Sequence, residues 1–408
     1  MRRLDRWLGI PICFALTVAS RLASLLSSRS ARTVAKPRKV LFIELAEMGT
    51  TVLACPAVHR LRTAQPDCQV FFLLFKQIED SVKVLKVVPD AHVLTIDPSS
   101  LGSLLRDTLR FMSTARRLGI DTAINLEAFT RFSAILAYLS GASTSVGFHR
   151  FTQEGLYTGD LLTHKVGYNS HLHTWQSLMT LVMALERSPE ELAEMPLGKF
   201  PAPAASDCVV PKVRIDAAGR QRLQALVTRD RPAAAGKRLI VVNPNASKLI
   251  SIRKWPLDRY AELVRRLLED PQNACAITGV ASEWEDAKFI ADRVQSDRLI
   301  NLTGRTTLEE LIGVFNIADV LVTNDSGPAH FAALTDIDVI VFFGPETPAL
   351  YKPLTDRATV LYAGFACSPC VSAFNQRRSV CANNRCLQDI PVETVHATVL
   401  ERLQRRAR

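Results

Sequence analysis

Val320-Leu321-Val322-Thr323-Asn324-Asp325-Ser326-Gly327-Pro328-Ala329-His330 carries the pattern that decides the fold. A short apolar run ends in a polar turn, and the turn opens a helix. Ser326 suits the N-cap and Pro328 the first turn. Gly327 allows a ligand to approach the backbone closely, and exposed amides at such a helix start suit a diphosphate. Asp325 could orient the loop or accept a ligand hydroxyl. His330, one turn in, could donate to a phosphate oxygen. Taken alone, the same residues also describe an ordinary capped strand-to-helix turn with a surface histidine.

Three further loops on either side repeat the arrangement. The run Leu239–Val242 leads into Asn243-Pro244-Asn245-Ala246-Ser247-Lys248, and then into Arg253-Lys254-Trp255-Pro256 at a helix start. Arg253 and Lys254 could neutralise phosphate charge, with Ser247 as a hydroxyl donor. Thr278-Gly279-Val280-Ala281-Ser282-Glu283 follows a second strand, and Glu283 could accept ribose hydroxyls or simply sit in a helix first turn. Phe343-Gly344-Pro345-Glu346-Thr347-Pro348 closes the same rim. Four such loops at strand carboxyl ends are much less expected by chance than one.

Strands are predicted at 239–242, 274–277, 299–302, 320–323 and 339–343, and helices at 256–269, 283–295, 307–317 and 327–334. The N-terminal half alternates in the same way. Lys39–Ala46 ends at Glu47-Met48-Gly49-Thr50 before a helical pattern, and later strands are expected at 70–74, 93–96, 122–125 and 145–148. Such alternation implies parallel sheets covered on both faces. The fold expected is α/β, with two Rossmann-like doubly wound domains facing each other across a cleft and a ligand at the carboxyl ends of the strands. Prolines at 189, 196, 201, 203 and 211 mark the linker. The expected division is an N-terminal membrane-associating segment 1–37, an acceptor domain 38–200, a donor domain 201–388 and a basic C-terminal helix 389–408.

The 408 residues carry a net charge of +10, which favours an anionic partner. No nucleic-acid-binding signature accompanies it, so nucleic acid is not expected as a partner. G-x-G-x-x-G is missing after the first strand of either half, which weighs against a nicotinamide-dependent dehydrogenase. Near the N-terminus an apolar run of about 13 residues lies between basic flanks, shorter than the ~20 residues a spanning helix needs. It reads as an interfacial or re-entrant anchor on an anionic leaflet; a cleaved signal or a docked helix are the alternatives. Nine cysteines with dispersed spacing do not make a secreted disulfide framework. Cys367, Cys370, Cys381 and Cys386 cluster with a spacing compatible with a structural zinc site, or with reduced thiols or one disulfide.

These ordered motifs resemble the heptosyltransferase family of inverting glycosyltransferases, glycosyltransferase family 9. The resemblance rests on Pro56-Ala57-Val58-His59-Arg60-Leu61, Pro244-Asn245-Ala246-Ser247, Arg253-Lys254-Trp255-Pro256, Leu302–Leu311, Asp325–His330 and Phe343–Pro348, and covers roughly residues 38–395. It implies a GT-B fold and transfer that requires no metal cofactor. It also implies a nucleotide-sugar donor such as ADP-heptose, and an acceptor in lipopolysaccharide or another lipid-linked or cell-surface glycan. The expected location is the cytoplasmic face of the inner membrane, held peripherally or monotopically. Carried over, Ser326, Gly327 and His330 would meet the donor diphosphate with Asp325 in the same loop. Arg253 takes the place of the family's phosphate-binding Lys, Ser247 lies near the phosphates and Glu283 near the ribose.

One departure bears on the chemistry. The family's catalytic Asp follows the Gly of the N-terminal turn, where this chain has Thr50. An inverting transfer needs a group that takes the acceptor hydroxyl's proton, and a threonine hydroxyl is far too weak a base. Glu47, in the loop, is the expected replacement and Glu44, at the strand end, the alternative. A non-catalytic nucleotide-sugar-binding or scaffold protein of a glycan-assembly complex is the competing reading.

Overall fold

The computed structural model describes the chain except residues 1–4, 6, 27–35, 129, 150–155, 195–200, 247, 373–377 and 408. The chain divides into two units, Met1–Val209 and Val210–Arg408. In unit 1, strands β1 (Lys39–Ile43), β2 (Gln69–Phe75), β3 (Val93–Ile96), β4 (Thr122–Asn125), β5 (Thr144–His149) and β6 (His164–Gly167) form one sheet in the order β3-β2-β1-β4-β5-β6. Unit 2 forms a second sheet from β7 (Arg238–Asn243), β8 (Asn273–Ile277), β9 (Leu299–Asn301), β10 (Val320–Asn324), β11 (Asp338–Phe343) and β12 (Ala358–Tyr362). Its order is β12-β11-β10-β7-β8-β9. All pairings are parallel.

Counted from its own first strand, each sheet has the same doubly wound order, and the order reverses between β1 and β4 and between β7 and β10. Right-handed crossovers put successive helices on opposite faces on either side of that reversal. Ligands bind in such sheets outside the carboxyl ends at this switch point. Two units of this kind in one chain are the GT-B class that the resemblance implied.

The central strands are apolar because both their faces are covered: β11 is buried at all six positions. The sequence reading missed β6 and β12. Both are edge strands, and their exposure is mixed rather than uniformly buried. Neither presents the continuous apolar run by which the inner strands were recognised. In unit 2, Trp255 and Tyr260 are fully buried and meet edge to face at 4.9 Å, while Trp255 stacks on Phe342 at 4.8 Å. This aromatic cluster fixes the Arg253-Lys254-Trp255-Pro256 segment from below.

The N-terminal apolar run forms α1 (Gly9–Leu26). It docks on α5 (Arg131–Leu139) through Cys13 and Ile135. Asp5 caps α5, its Oδ1 accepting from the amides of Arg131 and Phe132 at 2.9 Å each. Gly9 is required at the crossing, since a Cβ there would sit 2.9 Å from Arg131 Cδ. Among the described residues no helix is long and apolar enough to cross a membrane.

Candidate functional site

In unit 2 the switch point brings the loops after β7 and β10 together, and Asn324 joins them. Its Oδ1 accepts from the Trp255 amide at 2.8 Å, and its Nδ2 donates to the Asn245 carbonyl at 3.2 Å. This residue, buried at the end of β10, was not singled out from the sequence; its side-chain role needs the β7–β10 adjacency to be known. Asp325 follows, 4% exposed, with its amide donating to the Phe342 carbonyl. Its Oδ2 accepts from Arg253 Nη1 at 3.2 Å.

That pair is largely buried, with side-chain exposures of 14% for Arg253 and 6% for Asp325. Arg253 is thus held in place by a counter-charge from the loop it was expected to serve. Lys254 points elsewhere: its Nζ donates to Asp286 Oδ2 at 2.6 Å and to Asn245 Oδ1 at 3.2 Å. Ser326 occupies the cap position before the helix Gly327–Ala332, but its side chain makes no cap bond. Its hydroxyl donates instead to the Asn324 carbonyl at 3.2 Å. His330 is buried one turn in. Ser247 lies outside the described residues.

The loop after β8 lies against the same place. A Cβ on Gly279 would come within 2.8 Å of Glu283 Oε2, 3.1 Å of Asn245 Nδ2 and 3.3 Å of Thr303 Cγ2. Glu283 Oε2 accepts from the Val280 amide at 2.9 Å and so shapes its own turn. Among the described residues, Arg253 Nε, Asn245 Nδ2 and Thr303 Oγ1 are buried donors without a partner. Each such donor costs about 1–3 kcal/mol when unsatisfied. Asn245 and Thr303 were quoted within motifs but not proposed as binding residues.

In unit 1 the switch point gathers carboxyl groups. Glu44, 2% exposed at the end of β1, accepts from the Glu47 amide through Oε1 at 3.1 Å. Glu127, just past β4, accepts from the Leu45 amide through Oε1 at 3.0 Å and from Thr130 Oγ1 through Oε2 at 2.7 Å. Glu44 and Glu127 lie close enough to act on each other as a coupled carboxyl pair. Burial first, then the charges of Glu127 and Glu47, push Glu44 well above the usual carboxyl range. Burial likewise raises Glu127. Glu47 is half-buried, and its Oε2 accepts from Thr50 Oγ1 at 3.3 Å. Glu127 escaped the sequence reading. The clue was strand order, since β4 lies directly beside β1.

A carboxyl group raised in the folded state binds more protons there than in the unfolded chain. Its stabilising contribution is complete below the ordinary pKa of 4.5 and is lost as pH rises through the raised value. Glu44→Gln keeps the acceptor toward the Glu47 amide and removes the titrating group. We expect it to flatten the fall in melting temperature from pH 5 upward and to raise the melting temperature at pH 8. A melting profile with the wild-type slope would remove the raised Glu44 carboxyl group as its cause.

The segment with the four clustered cysteines packs against the loop after β11, where the amides of Cys370 and Val371 donate to the Pro345 carbonyl. Cys386 is buried, and its thiol is pushed up to about 11, first by burial and then by the neighbouring Cys370, Cys367 and Cys381. A Cβ on Gly344 would meet Cys386 Sγ at 2.8 Å. Asn384 Nδ2 donates to the carbonyls of Ile252 and Lys254, so this segment braces the Arg253 loop. Among the described residues, no group of three or more His, Cys, Asp or Glu side chains is placed to hold a metal ion.

The sequence model of glycosyltransferase family 9 (heptosyltransferase) matches residues 109–380. Lipooligosaccharide heptosyltransferase 2 of Haemophilus influenzae is 28% identical over 163 residues, 39% of this chain and 47% of that protein. The chain thus spans about half the length of that curated relative. Lipopolysaccharide heptosyltransferase 3 of Escherichia coli is 21% identical over 357 residues, 86% of this chain and 93% of that protein. Among solved structures, the E. coli ADP-heptose lps heptosyltransferase II aligns over 91% of this chain and all of that one, with a TM-score of 0.69 at 16% identity. That likeness establishes a shared fold.

Proposed function

The chain belongs to glycosyltransferase family 9, and on that premise we propose that it is an inverting, metal-independent glycosyltransferase. It moves a heptose-like sugar from a nucleotide-sugar donor such as ADP-heptose to lipopolysaccharide or another lipid-linked or cell-surface glycan. Unit 2 holds the donor and unit 1 supplies the base. The observation that carries this reading is the Arg253–Asp325 pair, with Arg253 Nε, Asn245 Nδ2 and Thr303 Oγ1 unsatisfied near it among the described residues. A diphosphate and a ribose supply the acceptors those donors lack.

In this reading Glu47 takes the proton from the acceptor hydroxyl as that oxygen bonds to the anomeric carbon from the face opposite the leaving group. The bond from the anomeric carbon to the diphosphate breaks, and the nucleoside diphosphate leaves with the electron pair. Arg253 and the backbone around Ser326 and Gly327 offset the charge that develops on the leaving oxygens. The bilayer contact is made by α1 at the cytoplasmic face of the inner membrane. Thr50 favours a second reading, a family member that binds the nucleotide sugar without turnover. The cysteine segment braces the donor loops in either case, with zinc as an added structural clamp only if purified protein holds a molar equivalent.

Thermal shift against ADP-, GDP-, UDP- and CMP-sugars tests the donor site. One nucleotide is expected to stabilise by about 2.7 kcal/mol at a hundredfold excess over Kd, roughly 5–10 °C for a unit of this size. No shift with any of the four would sink the reading. A shift without transfer would select the non-catalytic alternative.

A further inference from the structure

One face of the unit 1 sheet is covered by a layer of helices. The helix α4 (Leu101–Leu118) packs Phe111 and Ala115, and α5 packs Leu136 and Ala137, onto the same set of strand residues. The α1 helix joins this layer by docking on α5. The inward side of α4 is accounted for by this packing, and its start is capped by Ser100 and Ser103. Its outward side is not explained by the fold.

On that outward side Leu101, Leu105 and Leu109 are 59%, 65% and 65% exposed. They recur every fourth residue and therefore form one ridge. Arg106, Arg110 and Arg117 are exposed beside it, and the helix's one acidic residue, Asp107, is largely buried and accepts from Arg106 Nε at 3.1 Å. Scattered surface leucines need no explanation, but a contiguous ridge does. On the outward face of α1, Ile10, Phe14, Val18 and Leu22 are exposed, with the helix's one charged residue, Arg21, paired with Asp160 beside them. Elsewhere among the described residues, the exposed large apolar side chains are Trp7 and Leu8 just before α1, Ile12 on it, and Val209, Val280, Trp284 and Val380.

We propose that the α4 ridge is a second bilayer-contact element, with Leu101, Leu105 and Leu109 entering the headgroup boundary of an anionic membrane and Arg106, Arg110 and Arg117 meeting lipid phosphates. This deepens the membrane reading given above for α1 and rests on it. An apolar stripe beside a cationic one is the pattern of an interfacial helix, and three arginines against a single, largely buried carboxyl group leave a net positive stripe that matches an anionic leaflet. Both helices begin on the edge of the sheet that carries Glu44, Glu47 and Glu127: α4 starts shortly after β3 ends, and Asp5 before α1 caps the helix that follows β4. Docking through both therefore brings the carboxyl-edge loops of unit 1 to the headgroups, where a lipid-anchored acceptor hydroxyl is presented.

The test is co-sedimentation of the full chain with phosphatidylethanolamine/phosphatidylglycerol vesicles and with phosphatidylcholine vesicles. The triple variant Leu101→Ser, Leu105→Ser, Leu109→Ser is expected to partition roughly tenfold to a hundredfold more weakly, the scale of withdrawing three partly inserted leucines. Arg106→Gln, Arg110→Gln, Arg117→Gln together should weaken binding to the anionic vesicles and reduce its salt dependence, with no change on phosphatidylcholine. All six positions are exposed, so melting temperature should stay within a degree or two of wild type. Wild-type partitioning of the leucine variant overturns the proposal. So does conversion of an oligomer to a monomer by that variant with vesicle binding intact, which would assign the ridge to a second copy of the chain. A Phe14→Ser, Val18→Ser variant reads α1 separately, so loss there alone leaves the N-terminal contact standing and removes α4 from it.

Discussion

Arg253→Ala is expected to destabilise unit 2 by about 3–5 kcal/mol and to remove the thermal shift produced by the nucleotide sugar. Both effects come from one geometry. The guanidinium is nearly buried against Asp325 at 3.2 Å, and its removal leaves a carboxyl group in a site that offers little water. The loop that presents Ser326 and Gly327 would then lose its lateral restraint as well as its charge balance. Arg253→Lys separates the two roles, because a lysine keeps the charge but not the planar fork. It should recover part of the stability and little of the binding. Asp325→Asn should move the two readouts in opposite directions: a less stable free protein, but a larger shift on adding donor, because the diphosphate no longer competes with Asp325 for Arg253. Denaturant unfolding with and without nucleotide measures all three. A normal donor-induced shift in Arg253→Ala would detach the phosphates from this residue.

Much of this arrangement was legible in the chain. The eight inner strands are apolar because helices cover both sides of each sheet, and that makes Val320–Asn324 and Leu239–Val242 readable by eye. The polar loops that follow them were readable too, since Gly and Pro mark where strand turns into helix. What escaped was pairing across sequence distance. Arg253 and Asp325 lie 72 residues apart, and each looked like a free cation or a loop carboxyl group until β7 was placed beside β10. Lys254 was expected at the phosphates for the same reason, and its pairing with Asp286 could not be read from its neighbours in sequence. Ser326 shows a different gap. Residue type suggested a side-chain cap, but the extended backbone there, with φ −159° and ψ 174°, carries a hydroxyl bonded to Asn324 instead. Glu127 is the clearest omission. Nothing in Leu126-Glu127-Ala128 marks it, yet the doubly wound order places it against Glu44.

That carboxyl pair sharpens the expectation for the chemical step. Glu47→Gln is expected to lower kcat by about 10²–10⁴, the usual yield of a positioned general base, with little change in donor binding. Glu44→Gln should leave kcat within a few-fold of wild type. Glu44 is 2% exposed, and burial pushes its carboxyl group well above the usual range, so glutamine keeps the acceptor toward the Glu47 amide and removes no accessible base. The two substitutions are chemically alike and three residues apart, so a difference between them reports position and protonation rather than general damage to the loop. Thr50→Asp in the Glu47→Gln background supplies a carboxyl group at the position the family uses, and should restore transfer if loop geometry is otherwise competent. Undiminished turnover in Glu47→Gln would take the base away from this residue. Loss in Glu44→Gln equal to that in Glu47→Gln would mean that the Glu44–Glu127 pair, and not Glu47, handles the proton. Steady-state transfer with the donor identified by thermal shift, run alongside melting curves for each variant, separates these outcomes.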